Sequence, residues 1–346
     1  MLLKDFSFSY PPELVAQEPA NPRDSSRLLV LDRSTQGISH SLFRDLPSFF
    51  KKGDLLILNN TKVLPARLWA QKETGGKLEV LIVAENQRGL CSAMIFPSKN
   101  IKAGQKIFFE SKLGKIEAEI IQPEGKVKQL LFSSSVSVRE LMLEQGAAPL
   151  PPYIKRAHPK AEDLHRYQTI FAQKEGAIAA PTASLHFTEA VLKELREKGV
   201  EIHFITLHVG MGTFEPVRVE KIEEHQMQTE YYEVPDSVAA AIQNAKQEGR
   251  PITAVGTTVV RSLESYYRNP SPLEGEGSMQ ATSLYITPGY KFQVIDRFLT
   301  NFHQPESTPL LLTSAFAGAE FLKKAYAEAI AQKYRLFSYG DCMWIG

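Results

Sequence analysis

The chain predicts an α/β domain, a mixed sheet flanked by helices, interrupted by a small antiparallel β-barrel. Three observations carry that expectation. Residues 54–59 read Asp-Leu-Leu-Ile-Leu-Asn, a continuous apolar run that suits a strand buried on both faces. From Val63 to about Leu150, short β-branched or aromatic runs are divided by closely spaced glycines, which suits antiparallel strands joined by tight turns. Beyond that segment the rhythm becomes strand then helix, repeated, which suits a sheet with helices on its faces.

The elements follow in order. Lys51-Lys-Gly53 is a turn into the first clear strand, and Asn60, Thr61 and Lys62 place polar groups at its carboxyl end. The barrel strands are expected over 78–83, 91–96, 106–109, 116–121 and 129–132, with Gly75, Gly76, Gly89, Gly104, Gly114 and Gly125 between or beside them. This segment holds more Lys and Arg than Glu, and no Asp, as a solvated barrel surface or an RNA face would. Pro149-Leu-Pro-Pro-Tyr153 is a stiff connection. Lys155, Arg156, His158, Lys160, His165 and Arg166 follow it between Tyr153 and Tyr167, a pattern that fits either a charged linker or a nucleic-acid strand. Helices are then expected over 189–198, 235–247, 258–268, 310–317 and 320–333. Strands are expected over 200–209, 252–256 and 292–300, and a mobile loop over 269–283.

With 346 residues the chain is large enough for two domains. Lys+Arg 40 against Asp+Glu 39 leaves no global basic field, so any RNA contact must use a local patch. Two distant cysteines, Cys91 and Cys342, argue against a disulfide framework or a thiolate zinc site. The start Met-Leu-Leu-Lys-Asp-Phe does not resemble a signal peptide, and the apolar stretch 309–319 is too short to span a bilayer. A cytoplasmic protein without a membrane partner is expected.

Four strand ends carry polar groups. In Ala179-Ala-Pro-Thr-Ala-Ser-Leu-His-Phe187, Thr182, Ser184, His186 and Thr188 recur with period two, which in extended backbone points all four side chains one way. Thr188 reads as a helix N-cap and Gly199 as the stop. The run Ile252-Thr-Ala-Val-Gly-Thr-Thr-Val-Val-Arg261 goes strand, glycine, hydroxyl, helix, an anion-binding design. In Thr300-Asn-Phe-His-Gln-Pro-Glu-Ser-Thr-Pro309, Thr308 reads as a cap, and Asn301 and His303 should point the same way. Leu207-His-Val-Gly-Met-Gly-Thr-Phe-Glu215 has two glycines but no dinucleotide fingerprint. His203, His208 and His225 lack metal-ligand spacing, so no metal is expected. Neither a Gly-x-Ser-x-Gly elbow nor a phosphate loop occurs, which disfavours the usual hydrolase and nucleotidase classes.

Taken together these segments resemble the S-adenosylmethionine:tRNA ribosyltransferase-isomerase family of queuosine synthesis. The matching stretches include Ser26-Arg27, Asn59-Asn-Thr-Lys-Val-Leu-Pro-Ala-Arg67, Leu150-Pro-Pro-Tyr-Ile-Lys-Arg156, Arg166-Tyr-Gln-Thr169, the strand ends above and Tyr339-Gly-Asp341. The chain departs from the pattern at Asn60, Ser184, Gln228, Ser283 and Pro309. The resemblance implies a main α/β domain, 1–62 with 151–346, and an inserted barrel, 63–150. It implies no permanent cofactor, S-adenosylmethionine as co-substrate, and a tRNA partner carrying 7-aminomethyl-7-deazaguanine at the wobble position. The products are epoxyqueuosine in tRNA, adenine and methionine.

That chemistry assigns expected roles. The sulfonium acidifies an adjacent ribose C–H, so a neutral base is needed. His186 is expected to move the proton, with His303 as its rival, while Thr182, Asn301 and Ser307 orient the substrate. Gly256 and Thr257 would receive a carboxylate or ribose group, and Arg261 would pair with negative charge. Arg67, Lys155 and Arg156 would hold tRNA phosphate, and a monomer is expected. Two other classes compete: an S-adenosylmethionine-dependent RNA methyltransferase, which lacks its glycine-rich first turn here, and a non-catalytic tRNA-binding module, which leaves the polar strand ends without purpose.

Overall fold

The structure is a computed structural model that describes residues 1–112, 114–133, 137–210, 217–268 and 279–346. Most of the expected loop, 269–278, and Gly212 lie outside the described residues. Within them the chain divides into two compact units. One comprises Met1–Lys62, Pro151–Lys155 and Gln168–Gly346; the other comprises Val63–Leu150 and Arg156–Tyr167.

Among the described residues, the first unit is built on a nine-stranded mixed sheet. Its order is Gln280–Thr282, Glu230–Glu233, Glu201–His208, Leu55–Asn59, Ile252–Val255, Arg297–Asn301, Cys342–Ile345, Arg27–Asp32, Gly37–Leu42. Leu55–Asn59 is the hub, buried at every position and parallel to both neighbours, with Ile205 opposite Asn59 on one side and Ala254 opposite Ile57 on the other. Alternate residues feed two cores. Leu55, Ile57, Ile205, Ala254, Phe298 and Met343 face one; Leu56, Leu58, Val255, Leu299, Cys342 and Trp344 face the other.

The helices divide between those faces. Glu189–Glu197, which leads into Glu201–His208, buries Val191, Leu192 and Leu195 on the second face. Asp236–Glu248, which leads into Ile252–Val255, buries Val238, Ile242 and Ala245 on the first. The connections into the hub's two neighbours thus run over opposite faces of the sheet, a switch in winding direction. In open α/β sheets such a switch point opens a crevice beyond the strand carboxyl ends, where ligands bind.

Several elements differ from expectation. The strand expected over 292–300 is only Arg297–Asn301. The buried Glu264 carboxylate accepts the N–H groups of Gln293 at 2.9 Å and Val294 at 3.0 Å, which removes them from any strand ladder. The hairpin Arg27–Asp32 and Gly37–Leu42 carries no clear local signal; its first strand is held in place by Cys342–Ile345, parallel to it from the far end of the chain. The period-two row from Thr182 to Thr188 is not extended. After Pro181 the chain folds into a 3-10 turn, Thr182–Ser184, closed by Ser184 N–H on Pro181 O at 2.8 Å and Leu185 N–H on Thr182 O at 3.1 Å.

The second unit is a closed six-stranded antiparallel barrel among the described residues, in the order Lys128–Phe132, Leu90–Phe96, Lys77–Gln87, Arg67–Lys72, Lys106–Phe109, Ile116–Gln122. Ile116, Ala118 and Ile120 face inward while their neighbours face outward, as strand period requires. Closure leaves no sheet edge. Short helices at Val138–Gln145 and Ala161–Arg166 were not legible as helices in a barrel segment and a basic run.

Candidate active site at the carboxyl ends of the central strands

The strand ends around the hub form a hydrogen-bonded polar rim. Asn59 Nδ2 donates to Leu207 O at 3.0 Å and to Thr258 Oγ1 at 3.4 Å, and its Oδ1 accepts from the N–H of Thr61 and of Leu207. One fully buried amide therefore joins the hub strand, its neighbour and the helix Thr257–Arg268. Asn60 Oδ1 accepts from Thr206 Oγ1 at 2.8 Å.

His186 is 4% exposed, and both its nitrogens are occupied. Nε2 lies 3.0 Å from Asn301 Oδ1 and Nδ1 lies 2.9 Å from Ser26 Oγ. Asn301 Nδ2 donates to the carbonyls of Phe337 and Ser338, which turns the amide oxygen toward the imidazole. An amide oxygen only accepts, so His186 carries its proton on Nε2, and the one proton of the Ser26 hydroxyl is shared between Nδ1 and Arg23 O, 3.2 Å away. Burial pulls the imidazole down to about 4, against the Asn301 hydrogen bond and the Asp341 carboxylate, which favour its charged form. Thr188 caps the following helix by accepting Val191 N–H at 3.3 Å, and its hydroxyl donates to Asp24 at 2.9 Å. Segment 23–26 is thereby tied to segment 184–188 at both ends. Ser184 Oγ is buried with no hydrogen-bond partner among the described residues.

His303 does not join His186. Asn301 shares the face of Leu299, whereas the His303 ring turns back to Thr300 Oγ1, 2.9 Å from Nε2, on the face of Phe298 and Phe302. Its backbone N–H meets Tyr326 Oη at 2.7 Å. Beyond the last ladder pair, Asn301 with Cys342, strand alternation no longer governs direction, so the expected common orientation fails. Burial pushes the ring down to about 3.

The turn at Gly256 has φ of +86°, and a Cβ there would sit 3.8 Å from Ala183, so the 3-10 turn packs directly on this strand end. Thr257 is the first helical residue, and Thr258 serves Asn59. Arg261, one turn on and 8% exposed, donates Nε–H to Leu284 O at 3.1 Å and Nη1–H to Glu230. Its Nη2 is buried without an acceptor among the described residues. Glu230 also accepts Gly210 N–H at 3.2 Å.

Ser307, not Thr308, caps the helix Thr308–Ala317, accepting Leu310 N–H at 3.4 Å and donating to Gln304 O at 2.7 Å. Thr182 is half-buried in its turn. Arg67 pairs with Glu79 and donates to Leu150 O at 2.8 Å. Arg156 grips Asp163 with Nε at 2.7 Å and Nη2 at 3.0 Å. Lys155 donates its backbone N–H to Gln17 at 2.8 Å. Both guanidinium groups thus already neutralise a carboxylate. No cluster of three or more metal-binding side chains occurs among the described residues.

Known proteins resemble this chain over its whole length. A family model described as a queuosine biosynthesis protein matches residues 3–345. The chain belongs to that family. A relative from Citrifermentans bemidjiense is 46% identical over 348 residues, covering all of both chains, and is named S-adenosylmethionine:tRNA ribosyltransferase-isomerase. Relatives of the same name from Desulfitobacterium hafniense and Thermotoga maritima are 46% and 42% identical, again over all of both chains. A crystal structure of S-adenosylmethionine tRNA ribosyltransferase from Thermotoga maritima matches with a TM-score of 0.55 and 32% identity, covering 99% of this chain and 100% of that one. The α/β sheet with its separate barrel is the fold of a queuosine-family protein.

Sequence reasoning missed Ser26, Glu230 and the pair Thr61–His208. Ser26 stood in a matching motif without a chemical signal of its own. Glu230 begins the strand Glu230–Glu233, which no turn or glycine announces. Each acquires a role only through a partner distant in sequence.

Proposed function

We propose that this queuosine-family chain is itself an S-adenosylmethionine:tRNA ribosyltransferase-isomerase. It moves the ribosyl part of S-adenosylmethionine onto the aminomethyl group of 7-aminomethyl-7-deazaguanine at the tRNA wobble position, leaving epoxyqueuosine in tRNA, adenine and methionine. The observation that carries the reading is the polar rim at the switch point, joined by Asn59, in a chain related over its whole length to enzymes of that name.

The rim offers what the reaction needs. Gly256 lets a ligand approach the start of the helix Thr257–Arg268, and Arg261 Nη2 has a donor to give to a carboxylate such as that of the methionyl group. Asn301 and His186 form a buried neutral pair that holds strand end, 3-10 turn and segment 23–26 in one geometry. With both nitrogens occupied, His186 acts by positioning and not as the proton acceptor. Ser307 supports the site as a cap, and Thr182 orients the substrate from the turn. The tRNA is held through flanking phosphates with the target base turned out of its stack. Lys155 supplies charge, and Arg67 and Arg156 act as paired guanidinium groups. The protein works in the cytoplasm, as a monomer, with no permanent cofactor.

The test is incubation with S-adenosylmethionine and tRNA carrying the deazaguanine precursor, followed by mass spectrometry of released small molecules. Adenine and methionine are expected only with that tRNA. S-adenosylhomocysteine in their place would establish a methyltransferase, and no release from folded protein would leave only a binding module.

A further inference from the structure

We infer that His208 is the proton acceptor of the reaction, with its ring held by Thr61 and Gly176 at the carboxyl end of its strand. The inference rests on the substrate reading above and adds a catalytic residue to it.

His208 ends the strand Glu201–His208, beside the hub at the switch point. Thr61, fully buried just past the hub strand, lies 2.8 Å from Nδ1 through its Oγ1. A third group can orient a base in this way: in the tautomer that gives Nδ1–H to Thr61 Oγ1, Nε2 keeps its lone pair for a substrate. Nε2 has no hydrogen-bond partner among the described residues, and the side chain is half-buried. His186 and His303 lack this combination, the first being saturated and the second turned to the opposite face of the sheet.

Gly176 supplies independent evidence that the ring is built into place. Its φ is +146°, and a Cβ there would lie 2.9 Å from each of Cε1, Nδ1 and Nε2 of His208. The strand Lys174–Ala177 therefore lies flat against the imidazole at a position where only glycine fits. A histidine serving as filler needs no such close backbone approach.

Burial favours the neutral ring, and its charged neighbours act in opposite senses. Burial lowers its proton affinity first, Lys174 lowers it further, and Glu233 opposes them. Lys174 is itself 2.5 Å from Glu233, so the cation acting on the ring is matched by a carboxylate, and Lys62 beside Thr61 pairs with Glu175 at 3.1 Å. Tyr231 stands opposite His208 in the ladder, Glu230, Tyr232 and Glu233 share its strand, and Glu175 lies on the strand that carries Gly176.

The step is a simple proton transfer. The bond from the ribose carbon next to the sulfonium to its hydrogen breaks, and the electron pair stays on carbon beside the positive sulfur. The proton joins Nε2, giving an imidazolium that can return it to a later leaving group. No further reactant is consumed.

The experiment compares wild type with His208→Gln, which retains a donor for Thr61 but cannot take a proton at neutral pH, and with His208→Ala. Turnover of the tRNA-linked reaction should fall by about 10²–10⁴-fold in both, with the KM for S-adenosylmethionine nearly unchanged. Added imidazole should restore part of the lost rate in His208→Ala, following the neutral fraction of imidazole with pH. The acidic limb of the wild-type kcat/KM profile should be absent from His208→Gln. Turnover of His208→Gln within a few-fold of wild type, with that limb intact, overturns the inference, as does a loss in KM alone. If wild-type protein releases no adenine, the substrate reading fails and this inference fails with it; adenine release with an indifferent His208 removes the inference only.

Discussion

At the scale of single residues, the centre of the rim is a set of fixed protons. The Asn301 amide is oriented by two carbonyls, and that orientation dictates the His186 tautomer. Asn301→Asp keeps the shape but replaces a donor with a charge. The new carboxylate should raise the His186 pKa by about one to three units, read by NMR titration, and its unmatched approach to the Phe337 and Ser338 carbonyls should lower stability. His186 also governs an acid limb of stability. Its folded value of about 4 lies below the ordinary 6.5, so the unfolded chain binds the proton more tightly. Stability from this group is full above pH 6.5 and is lost as pH falls toward 4, by an amount on the order of 3 kcal/mol. Thermal unfolding measured across that range should show the decline, and His186→Asn should flatten it.

At the scale of elements, the site depends on close approaches between segments that share no sequence neighbourhood. Gly176→Ala forces a methyl into the His208 ring and should cost about 1–3 kcal/mol by denaturant titration, with loss of turnover as the imidazole leaves Thr61. Most strands and helices of the α/β part were legible, because a buried parallel strand and an amphipathic helix each carry a strong period. What local pattern misjudged were the places where a distant partner decides. The Thr182–Ser184 turn looked like a strand because alternation ignores the two carbonyls that closed it. Thr308 looked like the cap, although Ser307 one residue earlier has the extended backbone that a cap requires. Residues 293–294 looked extended until Glu264 took their N–H groups.

At the scale of the molecule, two units with separate cores divide the work of folding. The barrel closes its own ladder, so residues 63–167 expressed alone should give a cooperative melt with β-type circular dichroism; a non-cooperative transition would show that its core is insufficient. The sequence by itself determined the fold class, the change of texture at the barrel and the polar strand ends, because periodicity, glycine spacing and composition are local properties. The three-dimensional arrangement alone decided which polar groups meet and in which protonation state. His186 gained a partner on each nitrogen, His303 turned to the other face, and His208 gained Thr61 on one nitrogen with no partner for the other among the described residues. The physical reason is that a histidine's chemistry is set by desolvation and by the partner of each ring nitrogen, and those partners are brought together only when the sheet forms.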